Sequence, residues 1–228
     1  MIVDLKTIKK VYINLSKDLV KRQNFTKFIE PLNYSNVERF EGIALPRQKN
    51  SFNPGCSTSH NRLMKKYENE IPFLLFEDDC KPTKWYSDYV IDGKIEIPDD
   101  ADIVYLGYSL GGHPNGWFKG RSLNEKWMQI TSSLATHAML FLTTTGIKTC
   151  IQNSNETIES KVPLDIGYAQ QVLPNIKVYA PKKVLFYQNN SCVITTHVTV
   201  EPELNKWSSY NHDGTLNFDR QIIYDNNV

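Results

Sequence analysis

Pro72-Phe73-Leu74-Leu75-Phe76-Glu77-Asp78-Asp79-Cys80-Lys81-Pro82 is an apolar run that ends in three consecutive carboxylates. An unbroken apolar stretch of this length bounded by a proline reads as a strand buried on both faces. The acids then sit at its C-terminal mouth, where open α/β sheets bind their ligands. Three adjacent carboxylates repel one another, and each resists leaving water. A hard divalent cation such as Mn²⁺ or Mg²⁺ relieves that repulsion, because it takes oxygen ligands. Taken alone, the tripeptide fits a metal site holding a phosphorylated ligand or an acidic turn that ends a strand.

The segments before it extend the pattern. Lys10-Val11-Tyr12-Ile13-Asn14-Leu15 is a β-rich run. Leu19, Val20, Phe25, Phe28 and Ile29 then recur at helical spacing up to Pro31, with Ser16 or Asp18 as the cap. Val37 to Phe40 reads as a second strand, and residues 46–55 as a Pro/Asn/Ser/Gly loop. His60, Leu63, Met64 and Tyr67 share one face of a helix from Ser57 to Tyr67. This β-α-β-α-β order predicts an α/β fold: a Rossmann-like domain with a mostly parallel central sheet flanked by helices.

Further strands are expected at Ile103–Leu106, His137–Leu142, Lys177–Ala180 and Val184–Tyr187. Helices are expected at Thr144–Gln152 and from Val162 to Leu173. With no long linker or internal repeat, residues 1–228 read as a single domain with a polar tail from about Glu201.

Composition removes several classes. Net charge is +1, from 26 basic and 25 acidic residues, so no long-range attraction to nucleic acid or anionic membrane is expected. No apolar run approaches the ~20 residues that span a bilayer. No charged segment followed by an apolar stretch opens the chain, so the expected location is cytoplasmic and the expected cysteines are free thiols. Cys56, Cys80, Cys150 and Cys192 form no Cys-x-x-Cys pair. The absence of dinucleotide, P-loop and Gly-x-Ser-x-Gly patterns argues against oxidoreductases, P-loop NTPases and ordinary α/β-hydrolases.

Several segments, in order, resemble one family. They are Val11-Tyr12-Ile13-Asn14-Leu15 with Arg22, then Phe40-Glu41-Gly42-Ile43, then Gly55-Cys56-Ser57-Thr58-Ser59-His60-Asn61-Arg62-Leu63. Leu75-Phe76-Glu77-Asp78-Asp79, Thr136-His137-Ala138-Met139 and Pro163-Leu164-Asp165 follow. Together they resemble glycosyltransferase family 25, the lipopolysaccharide and collagen galactosyltransferase group. The match runs through short motifs over roughly residues 10–195, of which the Gly-Cys-x-x-Ser-His block followed by Glu-Asp-Asp is the most specific. The chain departs from the family in being short, in lacking paired arginines after the first strand, and in Leu164 where valine is usual.

The resemblance implies a GT-A fold and a metal-dependent, inverting transfer of a sugar from a nucleotide-diphosphate donor, UDP-linked by expectation, to a glycan or other hydroxyl acceptor. It implies Glu77 and Asp79 as metal ligands, with Asp78 near the donor ribose. His197 is the expected additional ligand and His212 its rival. Asp165 is the expected general base, although a helix cap explains the same residue type. Asn14, Leu15 and Glu41, at the ends of the first two strands, are expected around the donor base, and Arg22 at its phosphates. Ser57 and His60 open a helix whose N-terminus favours anions, though His60 also fits a buried structural role. Gly107 to Trp117, Trp207 and Tyr210 fit acceptor contacts or ordinary connections. A metal-dependent phosphohydrolase or nucleotidyltransferase is the alternative enzyme, and a non-catalytic carbohydrate-binding protein the alternative of another class.

Overall fold

A computed structural model describes residues 1–46, 48, 52–109 and 118–188, and the backbone of residues 223–224. His197, His212, Trp207, Tyr210 and most of the Gly-rich stretch lie outside the described residues.

The chain opens with strand β1 (Ile2–Asp4), strand β2 (Lys9–Asn14), helix α1 (Leu19–Ile29) and strand β3 (Val37–Glu41). Helix α2 (Pro54–Tyr67) leads into strand β4 (Phe73–Glu77), and short elements follow: β5 (Cys80–Pro82), α3 (Tyr86–Tyr89), β6 (Val90–Ile91) and β7 (Lys94–Glu96). Then come β8 (Ile103–Ser109), β9 (Lys119–Ser122), β10 (Trp127–Ser132), β11 (Leu134–Phe141) and helix α4 (Thr144–Ser160). Helix α5 (Leu164–Gly167) continues as a π-helical turn, and β12 (Val178–Pro181), β13 (Phe186–Gln188) and β14 (Ile223–Tyr224) complete the described elements. No described helix is long and apolar enough to cross a membrane.

The main sheet runs β14-β9-β10-β12-β8-β11-β4-β2-β3. Its N-terminal third is the expected parallel unit: β2 lies between β3 and β4 and is parallel to both. The parallel expectation does not extend across the sheet. β11 is antiparallel to both β4 and β8, and β10 is antiparallel to both β9 and β12. The sheet is therefore mixed. The sequence hides this because strand order depends on long-range pairing, and β9, with one buried residue in four, carries almost no apolar signal.

Strand β4 sits inside this sheet, and Phe73, Leu74, Leu75 and Phe76 are fully buried. Alternation sends Phe73 and Leu75 into the core under α2 and α4, with Leu63, Met64, Tyr105, Met139 and Phe141. Leu74 and Phe76 enter the opposite core with Tyr12, Phe25, Ile29 and Phe186. Burial of one such side chain stabilises by roughly 1.5–3 kcal/mol, so β4 anchors both layers.

The helices depart from expectation in instructive ways. In α1 only Phe25 and Ile29 are buried, whereas Leu19 and Val20 are 60% and 59% exposed. At 3.6 residues per turn those two stand about 120–140° around the axis from Phe25. Helix α2 begins at Pro54, inside the expected loop, because the Asn53 side chain caps it by accepting the Cys56 N–H at 3.2 Å and Pro54 occupies the first turn. Helix α4 runs on to Ser160, capped by Thr143, which accepts the Gly146 N–H.

Gly55 fixes how α2 meets the loop after β3. A Cβ there would stand 2.3 Å from the Ile43 carbonyl oxygen and 3.1 Å from the Leu45 nitrogen. Ser59 fastens the same contact, accepting the Ile43 N–H at 2.8 Å and donating to the Gly55 carbonyl at 2.6 Å. Both neighbours are backbone, so room comes only by moving the loop. Gly55→Ala is expected to cost about 1–3 kcal/mol, the usual penalty of overpacking. Urea unfolding checks this; an unchanged midpoint would contradict the contact.

Candidate active site

The C-terminal ends of β2 and β4 lie side by side, with Ile13 opposite Glu77 in the parallel register. Beyond them opens a cavity of about 740 Å³, within the size range of small-molecule sites. Its walls include Asn14, Leu15, Lys21, Cys56, His60 and all three acids, with Thr136 and Asp165 from later in the chain. The apolar run that buries β4 thus delivers Glu77, Asp78 and Asp79 to the wall of one half-open cleft.

The three acids have different surroundings. Glu77 Oε1 accepts hydrogen bonds from Thr136 Oγ1 at 2.6 Å and His60 Nε2 at 3.3 Å, and Oε2 accepts one from Gln188 Nε2 at 3.4 Å. Burial opposes ionisation of Glu77, but the bonds from His60 and Thr136 outweigh it and lower its carboxyl below the ordinary range. Asp78 Oδ2 accepts from Asn14 Nδ2 at 2.7 Å, and Oδ1 meets Lys21 Nζ at 3.4 Å. Burial nevertheless raises the Asp78 carboxyl.

Asp79 is the odd one. Its Oδ1 is buried and has no hydrogen-bond partner among the described residues. Burial, then the charge of Glu77, pushes its carboxyl up to about 7. A buried carboxylate oxygen without a donor is costly unless a cation or proton reaches it.

Asn14 is held in one orientation. Arg39 Nε donates to Asn14 Oδ1 at 3.1 Å, and Arg39 Nη2 donates to the Asn14 carbonyl at 3.2 Å. The guanidinium occupies the amide oxygen, so the Asn14 NH₂ is turned toward Asp78. Lys21 approaches from α1. Burial disfavours its charged ammonium, but Asp78 and Asp79 more than offset that and hold its proton more tightly than usual.

Asp165 lies on the same cavity from the α5 side. Pro163 occupies the cap position of α5, and no side chain caps that helix. Asp165 Oδ1 accepts the N–H of the adjacent Ile166 at 2.9 Å, and Oδ2 faces the Ala135 N–H at 3.5 Å. Ala135 has φ +69° beside a register shift in β11, and that bend turns its N–H toward the acid. Burial raises the Asp165 carboxyl, with the Ala135 and Ile166 bonds opposing.

Of the residues expected at the site, Asn14, Leu15, His60, Glu77, Asp78, Asp79 and Asp165 line this cavity. Three do not. Arg22 is exposed, because one step along α1 turns it about 100° from Lys21, which takes the inward position. Glu41 is exposed at the end of β3 and accepts from Ser16 Oγ instead. Ser57 is buried with its hydroxyl unpartnered among the described residues, on a part of α2 that does not face the cavity. Sequence reasoning missed Lys21, Arg39 and Gln188, and gave Thr136 no role. Helical phase from the buried Phe25 would have favoured Lys21; the other three depend on strand pairing that no local pattern reveals.

No family model matches the chain, and no curated protein does either. Among solved structures the chain is similar to a glycosyltransferase involved in the glycosylation of the major capsid of PBCV-1, at 12% identity and TM-score 0.47, covering 83% of this chain and 94% of that one. It is also similar to a CTP:phosphocholine cytidylyltransferase from Streptococcus pneumoniae, at 10% identity and TM-score 0.40, covering 79% and 92%. Both likenesses are remote.

The state of Asp79 has a measurable consequence. Folded, it keeps its proton up to about 7, whereas its ordinary value is 3.8. The folded protein therefore binds more protons than the unfolded chain between these values, and its stability falls as pH rises through them. In metal-free buffer, Asp79→Asn should be more stable than wild type at about pH 8, by on the order of 1–3 kcal/mol, and the gap should shrink toward about pH 5. Melting curves at the two pH values check it; an advantage that grows on acidification would contradict the assignment.

Proposed function

We propose that the chain is a metal-dependent, inverting glycosyltransferase of GT-A type, using a nucleotide-diphosphate sugar. The observation that carries this reading is the cavity itself. It joins an acid triplet at the end of the parallel unit to a separate, half-buried acid, Asp165, along one half-open cleft.

A divalent cation fits the residues present, because Asp79 offers a buried carboxylate oxygen that lacks a partner. Asp79 and Glu77 would hold Mn²⁺ or Mg²⁺, which as a Lewis acid stabilises the charge developing on the departing diphosphate. Asn14 and Leu15 flank the donor base at the end of β2, and Asp78 meets the ribose. Lys21 supplies positive charge toward the phosphates in the position expected of Arg22.

Asp165 accepts the proton of the acceptor hydroxyl as its oxygen attacks the anomeric carbon. The bond from that carbon to the diphosphate oxygen breaks on the opposite face, and the configuration inverts. The raised carboxyl of Asp165 suits a base, because a conjugate acid nearer the working pH takes the proton with a better driving force.

Thermal stabilisation against UDP-, GDP- and dTDP-sugars, with and without Mn²⁺, tests donor and metal together. A ligand at 100-fold its Kd adds about 2.7 kcal/mol, and the metal-dependent part should vanish in Asp79→Ala. No metal-dependent shift with any nucleotide would sink the reading. Free phosphate or a nucleotide-linked product, with no sugar moved, would identify a phosphohydrolase or nucleotidyltransferase.

Asp165→Asn separates chemistry from binding. It should lower kcat by roughly 10²–10⁴-fold, the range for a general base, with donor affinity unchanged. An equal loss of donor affinity would make Asp165 structural.

A further inference from the structure

Helix α2 carries Cys56 and His60 four residues apart, which stacks thiol and imidazole on one face. Glu77 meets them from the end of β4. One ligand atom from each of Cys56, His60 and Glu77 lies within 4.8 Å of the other two. Around a tetrahedral Zn²⁺, with bonds of about 2.0–2.3 Å, ligand atoms stand roughly 3.3–3.7 Å apart. A contraction of about 1 Å closes the set, which side-chain torsions can supply.

His60 supports a cation independently. The residue is 1% exposed, its Nε2 contacts Glu77 at 3.3 Å, and its Nδ1 has no partner among the described residues. A neutral imidazole has one N–H for two nitrogens, so the ring always carries a lone pair. With the proton on Nδ1, the Nε2 lone pair faces the Glu77 carboxylate across 3.3 Å, an arrangement that a cation between them turns from repulsion into ligation. All three residues line the cavity, so solvent or a ligand can supply a fourth donor.

We propose that Cys56, His60 and Glu77 form a site for a thiophilic divalent cation, Zn²⁺ by its donor set, distinct from the oxygen-rich position at Asp79. Sulfur and imidazole select Zn²⁺, whereas carboxylates and water suit Mg²⁺ and Mn²⁺. On binding, the Cys56 thiol releases its proton to solvent and the thiolate forms the metal–sulfur bond. Glu77 serves both positions and is the point at which they interfere. The assignment does not depend on the transfer reading.

Co²⁺ serves as the probe. One equivalent added to the reduced protein should give a thiolate-to-cobalt charge-transfer band and the strong visible bands of tetrahedral Co²⁺, erased by one equivalent of Zn²⁺. Cys56→Ser should lose the charge-transfer band, and His60→Asn should weaken Zn²⁺ binding by at least roughly 10–100-fold, the cost of losing even an outer partner. Asp79→Asn should keep the band, which separates this site from the proposed donor metal. No band in the wild type, a band that survives Cys56→Ser, or a band lost in Asp79→Asn each overturns the proposal. If Cys56→Ser does not fold, alkylation of Cys56 by iodoacetamide reads the same contact in wild type. Zn²⁺ should protect the thiol, and an unchanged rate refutes the site.

Discussion

Burial of β4 on both faces is the constraint from which the rest follows. Four consecutive side chains, Phe73 to Phe76, are fully buried, two into each core layer. A strand so placed cannot carry charge along its length, because an unpaired charge inside either layer would cost several kcal/mol. Its acids come only at the last residue of the strand, Glu77, and directly beyond it. The hydrophobic drive that builds the fold is thus also what gathers Glu77, Asp78 and Asp79 at one edge. The parallel β3-β2-β4 unit then brings the end of β2 to the same edge, and with it Asn14.

Once gathered, the three carboxylates are treated unequally, and the inequality is organised. Glu77 receives Thr136, His60 and Gln188, from three different elements. Asp78 receives Asn14, itself aligned by Arg39, and Lys21 from α1. Asp79 Oδ1 receives nothing among the described residues. The scaffold supplies donors to two acids and leaves an oxygen of the third bare. Random crowding of acids would not produce that division, because side chains that can move relax toward shared partners. A bare buried carboxylate oxygen of this kind is costly unless a proton or a cation reaches it.

What was legible in the sequence, and what was not, divides along the range of the interactions. The strand at 73–76, its acidic end and the first β-α-β-α-β unit are all local patterns, and they appear close to their expected positions, although the helix before β4 starts three residues earlier than expected. The rest depends on contacts between distant segments. β11 inserts antiparallel between β8 and β4, which is how Thr136 reaches Glu77, and no periodicity in residues 134–141 announces it. Arg39 reads as an exposed strand residue until β3 pairs with β2 and sets it beside Asn14. Lys21, which the sequence reading missed in favour of Arg22, takes the inward position by helical phase.

The Gly55–Leu63 block shows why a short motif can be more constrained than any of its residues. Gly55 has no Cβ because the Ile43 carbonyl stands where one would go. Ser59 ties the same loop, and His60 comes next in sequence, so fixing Ser59 fixes where the imidazole meets Glu77. Cys56 lies one turn earlier on the face of His60. The block therefore acts as a rigid jig with three jobs: to seat the helix on the loop after β3, to steady one carboxylate of the triplet, and to present sulfur and nitrogen beside it. The last two jobs meet at Glu77, whose carboxylate is also held by Thr136 and Gln188, so one side chain at the end of a strand buried on both faces links α2, β11 and β13.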